Sequence, residues 1–535
     1  MGAEESHMSL QPVSHDFGYL AVVFKIPDQI RVIHGSEAEY SIIGHAISDT
    51  WKEGIQSTKR KCAGSVLCFK LKGLPFETGC LSMNIREVAC RILRCLNNIG
   101  CQYIASTNLT QGREWFTFIF VRTNTHQRKI GELAYVAMSS TDKLHFWNLQ
   151  PNTRDEISQA LHSEYHPGFY HKEITDGGKS YEAMLKGSPW GSTTSCHGQA
   201  RGFLIKIIFI MMKRYSFLCA MNLKRTEDTF VFFPKSIISN TVSAEIFIIS
   251  LRKTSKLQVF QAPECLIPII HKVLVDSFGT RSHNIEKKID HRFGKVEFKY
   301  KSHAAKDQLS QCTMTKFIVC KLLEVLKSHG WSIVTGFDMS RGLANKSELL
   351  FQKSNPHPDC KVFCLTPVCH SKLWAINAPP RIIEACRKVI SRHLSLITET
   401  QYEYPATCVG FELGDQPWSD SGDSAHFTHS MICHLLDKFS HKGFKIKLTA
   451  DVIPECIEYD EGSSTPHDPN AWWFMHEPQM GMPGVSEWKS EEVPLSQSSF
   501  EKPSEPLTPT APAQSYEAPP PSYETVLREN EQKPY

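Results

Sequence analysis

The chain has 535 residues, 41% hydrophobic and 21% charged, with 59 Lys/Arg against 56 Asp/Glu and a formal net charge of +3. That length and apolar content predict several folded domains, and so mild a charge argues against a dedicated polyanion binder. The longest apolar run, Gly202 to Met212, is eleven residues and contains Lys206. It is too short to cross a bilayer and reads as a buried helix.

At the N-terminus, residues 1–15 read as a flexible lead. Met1-Gly2-Ala3-Glu4-Glu5-Ser6 fits the N-myristoylation pattern, which makes Gly2 the candidate lipidation site. One acyl chain supports only marginal membrane binding, the following residues are acidic, and a start at Met8 would remove the signal. No signal peptide opens the chain. The 18 cysteines, scattered through apolar segments, read as reduced cytosolic thiols that pack like small hydrophobes.

From residue 16 onward the chain repeats itself. One corner recurs as Phe69-Lys-Leu-Lys-Gly73-Leu-Pro75-Phe76, Met184-Leu-Lys-Gly187-Ser-Pro189-Trp190 and Phe411-Glu-Leu-Gly414-Asp-Gln-Pro417-Trp418. After each comes a helix end and a strand finishing on an Asn or Asp: Asn108, Asn222, Asp338 and Asp451, at intervals of 114, 116 and 113. A strand running into a Pro-marked turn recurs as Lys143 to Pro151, Lys256 to Pro263 and Lys372 to Pro379, and Leu20 to Pro27 has the same form. The helix after Pro263 shows its period in Leu266, Ile269, Ile270, Val273 and Leu274.

The fold class is therefore α+β: four tandem repeats of about 110 residues, at 16–128, 129–238, 239–356 and 357–477. Each is expected to read strand, helix, strand, helix, strand, strand. The sheet is mostly antiparallel with two helices on one face, and a hairpin strand such as Ala244 to Leu251 is often added. In the corner, glycine permits the bend, proline stops the ladder and the aromatic covers the sheet edge. A ligand-stacking role for Trp190 or Trp418 is the other reading. The third repeat carries Lys301-Ser302-His303-Ala304 in that place, so a device shared by all four units cannot use the corner.

Chemistry is hard to place in the repeats. Cys360, Cys364, Cys369 and His370 are too loosely spaced for a zinc site, and His426, His429, Cys433 and His434 share one helix without paired spacing. We assign no metal and no cofactor. Gly-x-Ser-x-Gly and phosphate-cradling glycine motifs are missing, and no Cys/His pair recurs between repeats. An enzyme with its active site in one diverged repeat stays open as an alternative, as does a structural or lipid-surface scaffold. The expected class is non-enzymatic, without nucleic-acid binding.

Residues 478–535 change character, with eleven prolines in 58 residues and a net charge of −5, which leaves +8 on the body. With few aliphatics and no period, this tail is expected to be disordered. It contains Pro509-Thr510-Ala511-Pro512 and Pro520-Pro521-Ser522-Tyr523. As a PTAP and a PPxY motif, the pair resembles the late domains of retroviral Gag proteins and of arrestin-domain adaptors. That resemblance covers only these short motifs. It implies that Pro509, Thr510, Ala511 and Pro512 bind the UEV subunit of the ESCRT-I budding complex. It likewise implies that Pro520, Pro521 and Tyr523 bind WW domains of HECT-type ubiquitin ligases.

The physics of the tail agrees with such docking. Proline fixes φ, so Ala518 to Ser522 samples a polyproline II ribbon before any partner arrives and loses little entropy on binding. Glu524 to Leu527 can then turn helical and bring Leu527 onto the same domain. Tyr516 and Tyr523 each precede a glutamate, as tyrosine-kinase sites do, and a phosphate on Tyr523 would place charge in an apolar pocket. The resulting expectation is a cytoplasmic adaptor, peripheral at the plasma membrane or endosomes, with an unknown protein cargo or a membrane surface as the body's partner.

Overall fold

In a computed structural model, the described residues are 18–476 less the stretches 77–82, 110–115, 124–128, 140, 176–177, 191–196, 223–227, 236–244, 253–254, 280–284, 301–307, 340–346, 403–406, 415, 419–423, 451 and 453–469. They build four units of one plan. Unit 1 holds β1 (Tyr19–Lys25), β2 (Gln29–Ile33), α1 (Glu37–Thr50), β3 (Ile55–Lys61), β4 (Val66–Leu71), α2 (Met83–Asn98), β5 (Cys101–Thr107) and β6 (Phe116–Arg122). Unit 2 repeats this as β7 (Ala134–Ser139), β8 (Lys143–Trp147), α3 (Pro151–Glu164), β9 (Phe169–Thr175), β10 (Ser180–Leu185), α4 (His197–Arg214), β11 (Tyr215–Asn222) and β12 (Asp228–Pro234). Unit 3 has β13 (Ile246–Arg252), β14 (Lys256–Phe260), α5 (Leu266–Phe278), β15 (Glu286–Asp290), β16 (Lys295–Lys299), α6 (Gln308–Ser328), β17 (Trp331–Asp338) and β18 (Ser347–Lys353). Unit 4 has β19 (Val362–Val368), β20 (Lys372–Ile376), α7 (Pro380–His393), β21 (Leu396–Tyr402), β22 (Cys408–Leu413), α8 (Ser424–His441), β23 (Phe444–Ala450) and β24 (Ala471–His476).

Each unit thus runs strand-strand-helix twice and closes on a hairpin. Its six-stranded antiparallel sheet has the order β3-β4-β2-β1-β6-β5, and the other three sheets repeat it. The unit contains a strand pair where the sequence suggested a single strand. Of the segment Ala244 to Leu251, residues from Ile246 onward form β13, the regular first strand of unit 3 rather than an addition. Leu20 to Pro27 is likewise β1, whereas Lys143 to Trp147 is the second strand of its unit. Both kinds of strand are apolar and end near proline, so composition alone does not separate them.

The corner residues close units 1, 2 and 4 each on its own first hairpin. The main-chain N–H of Phe76 donates to Pro27 O (3.1 Å), that of Trp190 to Thr141 O (3.0 Å) and that of Trp418 to His370 O (3.2 Å). The indoles of Trp190 and Trp418 donate to Lys143 O (3.1 Å) and Lys372 O (2.9 Å). Both rings are fully buried, so they plug the sheet and present no stacking face to a ligand. Gly73 and Gly187, at φ +72° and +78°, supply the left-handed step into the corner. The counterpart in unit 3, residues 301–304, lies outside the described residues.

Local signals account for the helices. A capping box starts α1: Glu39 N donates to Ser36 Oγ (3.3 Å) and Ser36 N to Glu39 Oε2 (2.6 Å). Proline stands at the start of α3 and α7, where its missing N–H is not needed. The run Gly202 to Met212 forms the middle of α4, buried as its composition predicts.

The first strands are buried on both faces; β13 reads Ile-Phe-Ile-Ile-Ser-Leu-Arg, with only its last residue partly exposed. Such a pattern requires a second covering layer. Each unit's own two helices cover one face of its sheet, and the preceding unit supplies the other cover. The core around α2 continues into Tyr135, Ala137 and Val231 of unit 2. That around α4 continues into Ile246, Ile248 and Leu350 of unit 3, and that around α6 into Val362, Cys364 and Trp473 of unit 4. Finally the core around α8 takes in Tyr19, Ala21, Val23 and Ile33 of unit 1. The four units therefore close a ring.

Candidate functional site

At the inner end of every sheet lies one edge strand: β5, β11, β17 or β23. These four meet in cyclic order, β5 with β11, β11 with β17, β17 with β23 and β23 with β5. A sheet edge normally exposes a row of unpaired backbone groups; here the four edges shelter one another at a pseudo-fourfold axis.

Each strand carries a β-bulge at the same place. Pairing skips a residue between Tyr103 and Ala105, between Phe217 and Cys219, between Ile333 and Thr335, and between Ile446 and Leu448. The skipped residues are Ile104, Leu218, Val334 and Lys447. A bulge bends its strand and re-aims a side chain, and all four skipped residues line one axial cavity of about 100 Å3. That volume is large enough to admit water.

Hydrogen bonds tie the strands around it. Ser106 Oγ donates to Ala220 O (3.0 Å), joining units 1 and 2, and Thr449 Oγ1 donates to Ser106 O (2.6 Å), joining units 4 and 1. At the unit 3–4 contact a side chain on Gly336 would lie 2.7 Å from Leu448 Cδ1 and 2.9 Å from Thr449 O. We expect Gly336→Val to destabilise the ring by about 1–3 kcal/mol through overpacking, with Gly336→Ala milder. Urea unfolding would read this as a lowered midpoint, and an unchanged midpoint would mean that β17 and β23 are not pressed together.

The chemistry on offer is one ammonium (Lys447), the hydroxyls of Ser106, Thr335 and Thr449, and main-chain carbonyls. Two further lining groups are held neutral. Burial raises Cys219 well above the usual thiol range, and burial together with Cys219 does the same for the Tyr103 phenol. A thiol so desolvated is a packing group rather than a nucleophile. The cavity suits a small polar guest or water, and its walls, three aliphatic side chains and one lysine, differ from unit to unit.

The residues singled out from sequence lie elsewhere. Gly2, the PTAP residues Pro509 to Pro512, Tyr516, the PPxY residues Pro520, Pro521 and Tyr523, and Leu527 all fall outside the described residues. Of the two Cys/His groups, Cys360 is buried just before β19, Cys364 is buried within it, Cys369 is half-buried and His370 is exposed. On α8, His429 points across the ring closure, its Nε2 in hydrogen-bond contact with Thr117 Oγ1 (3.0 Å). Cys433 is buried, which pushes its thiol up to about 12. The side chain of His426 is outside the described set. Among the described residues no His/Cys/Asp/Glu group is arranged to hold a metal ion, and no helix is long and apolar enough to cross a membrane.

The seams between units hold a further regularity. Each carries a buried basic residue on the second helix: Arg86, Arg201, Lys316 and His429, all at most 5% exposed. Arg201 Nε donates to Glu348 Oε1 of the next unit (2.9 Å), where Ser250 Oγ also donates (3.1 Å). Sequence reasoning passed over these residues and the bulges, although one signal was present. Ile104, Leu218, Val334 and Lys447 each stand four residues before the Asn or Asp that sets the repeat interval.

Fold and axis together define a class: a closed array of four homologous α+β units whose inner sheet edges meet at a common axis. One domain-family model matches the chain four times, over residues 18–124, 132–233, 245–352 and 361–475, so the chain belongs to that domain family and carries four copies of the domain. No curated protein and no solved structure matches it.

Proposed function

We propose that the protein is a non-enzymatic adaptor in which the ring engages a cargo or a membrane surface and the tail recruits sorting machinery. The tail's partners are WW-domain HECT ubiquitin ligases, through Pro520, Pro521 and Tyr523, and the ESCRT-I UEV subunit, through Pro509 to Pro512. Ubiquitination, endosomal sorting or vesicle budding of the cargo would follow. The observation that carries this reading is the pairing of PTAP and PPxY after the last strand of the ring. The described strands of the four sheets all lie within residues 19–476.

The body supports the reading through its periphery. The outer edge strands β3, β9, β15 and β21 end the four sheets, and Tyr170, Ile289, Ile397 and Tyr402 are exposed on three of them. Such edges accept an added strand from a partner. Each tail motif binds weakly alone, and bivalent engagement or clustering raises apparent affinity by about 10²–10⁴.

Calorimetric titration of a peptide covering Ser504 to Tyr535 against isolated WW and UEV domains tests the proposal. We expect saturable binding to both, with Tyr523→Ala abolishing the first and Pro509→Ala the second. Phosphorylation of Tyr523 should remove WW binding, because about two negative charges would enter an apolar pocket. A peptide silent toward both domains would sink the adaptor reading.

A further inference from the structure

Among the described residues, the junction that closes the ring, between units 4 and 1, differs from the other three in holding three histidines together, with His434 against both others. His34 sits in the turn between β2 and α1 at φ +58°. His393 ends α7, and His434 lies in the middle of α8. Ring centroids are 4.4 Å apart for His393 and His434, and 5.7 Å for His34 and His434. His393 Nε2 and His434 Nδ1 face each other in hydrogen-bond contact, and His34 Nε2 meets Ser430 Oγ at 2.9 Å. His34 and His393 are 8% and 7% exposed.

A facing imidazole pair works only when one nitrogen donates and the other accepts, which requires at least one neutral ring; protonating both turns donor against donor. Neighbouring cations disfavour a further positive charge: Arg122 bears on His34, Arg392 on His393, and Arg392 with Lys438 on His434. Of the nearby carboxylates, Glu39 on α1 is held by Arg122, 2.7 Å away on β6, and Asp437 on α8 lies beside Lys438 and His441. Arg122 Nη2 also donates to His34 O (2.5 Å), and the Cys101 thiol donates to Glu39 Oε1 (3.0 Å). Tyr19 on β1 and Cys433 on α8, both raised by burial, complete the seam as neutral groups.

We propose that the His34–His393–His434 cluster is an acid-sensitive latch whose protonation releases α8 from β1 and β2 and opens the ring at this junction alone. At the position where this seam carries His429, the other seams carry Arg86, Arg201 and Lys316, which stay charged as pH falls. Opening uncovers the apolar patch of Tyr19, Ala21 and Ile33 that α8 otherwise covers.

The direction of the pH effect follows from desolvation. Burial lowers His34 and His393 from 6.5 to about 4 and His434 to about 3, with the neighbouring positive charges acting the same way. A histidine lowered in the closed state stabilises closure fully above pH 6.5 and loses that contribution as pH falls toward its closed-state value. At pH 5 one such ring shifts the opening equilibrium by up to about 30-fold, or about tenfold after allowance for partial solvent screening.

Hydrogen exchange on the full chain at pH 7.2 and pH 5.0, corrected for intrinsic rates, reads this directly. Peptides from β1–β2 and α8 should show at least tenfold more opening at pH 5.0. Peptides from α4 and β13, at the unit 2–3 seam, should change less than threefold. His434→Gln should flatten the response while retaining protection of the α4–β13 seam at pH 7.2; if that variant does not fold, His34→Asn serves in its place. Equal acceleration at all seams, or a folded variant with an undiminished response, would overturn the latch.

Discussion

Replacing Glu348 by Gln should cost the ring about 3–5 kcal/mol, among the largest effects available from one substitution. Glu348 is fully buried on β18, and Arg201 reaches it from α4 of the preceding unit with 1% exposure. Ser250 Oγ donates to the same carboxylate oxygen and accepts from Arg252 Nε at 3.2 Å. Burial, with Arg201 next, lowers Arg252 to about 10. The carboxylate therefore stands between two guanidiniums, and neutralising it leaves two like charges in a water-poor seam. Arg201→Met, which leaves one anion beside Arg252, should cost less than Glu348→Gln. The double variant Arg201→Met/Glu348→Met should recover most of the loss, because an apolar replacement of a buried pair is often close to neutral. Urea midpoints of the three variants check the order, and singles that each cost under about 1 kcal/mol would mean that water reaches the pair.

Trp418→Ala should be comparably severe, at about 3–5 kcal/mol. The indole is fully buried, 6.4 Å from the Trp472 ring, and donates to Lys372 O at 2.9 Å. Truncation opens a large cavity and leaves that carbonyl without its indole donor. Trp418→Phe refills most of the volume and loses only the hydrogen bond, so it should cost roughly 1–3 kcal/mol beyond the small volume change. If the residue were a ligand platform, both variants would unfold near wild type in urea. Trp190→Ala is expected to behave in the same way in unit 2, since its indole makes the same bond to Lys143 O.

The repeat was legible because the same local features recur, the corner in three units and the strand-ending Asn/Asp in all four. Gly187-Ser-Pro189-Trp190 and Gly414-Asp-Gln-Pro417-Trp418 both encode a bend and a plug, and the nearly constant Asn/Asp interval marks the end of the inner strand. Strand number was less legible. Leu20 to Phe24 is buried on both faces and Lys143 to Trp147 alternates, but both run into a proline-marked turn, and that shared form does not separate a first strand from a second. The Gly202 to Met212 helix was readable for the opposite reason, an apolar run longer than a strand with a single lysine.

What the sequence determined by itself is local and periodic: four α+β units, their corners and their helices. Tertiary structure alone decided which surfaces meet. Ring closure by α8 on β1, the four bulges converging on one axis, and the contact of His34 with His393 and His434 join residues hundreds of positions apart. Neither periodicity nor spacing carries that information. Arg201 and Glu348 are ordinary charged residues in the sequence, and only burial at a seam between units makes them a pair. The physical reason is range: propensity, turn chemistry and amphipathic period act within a few residues, whereas desolvation and edge-strand pairing depend on which distant surface arrives to exclude water.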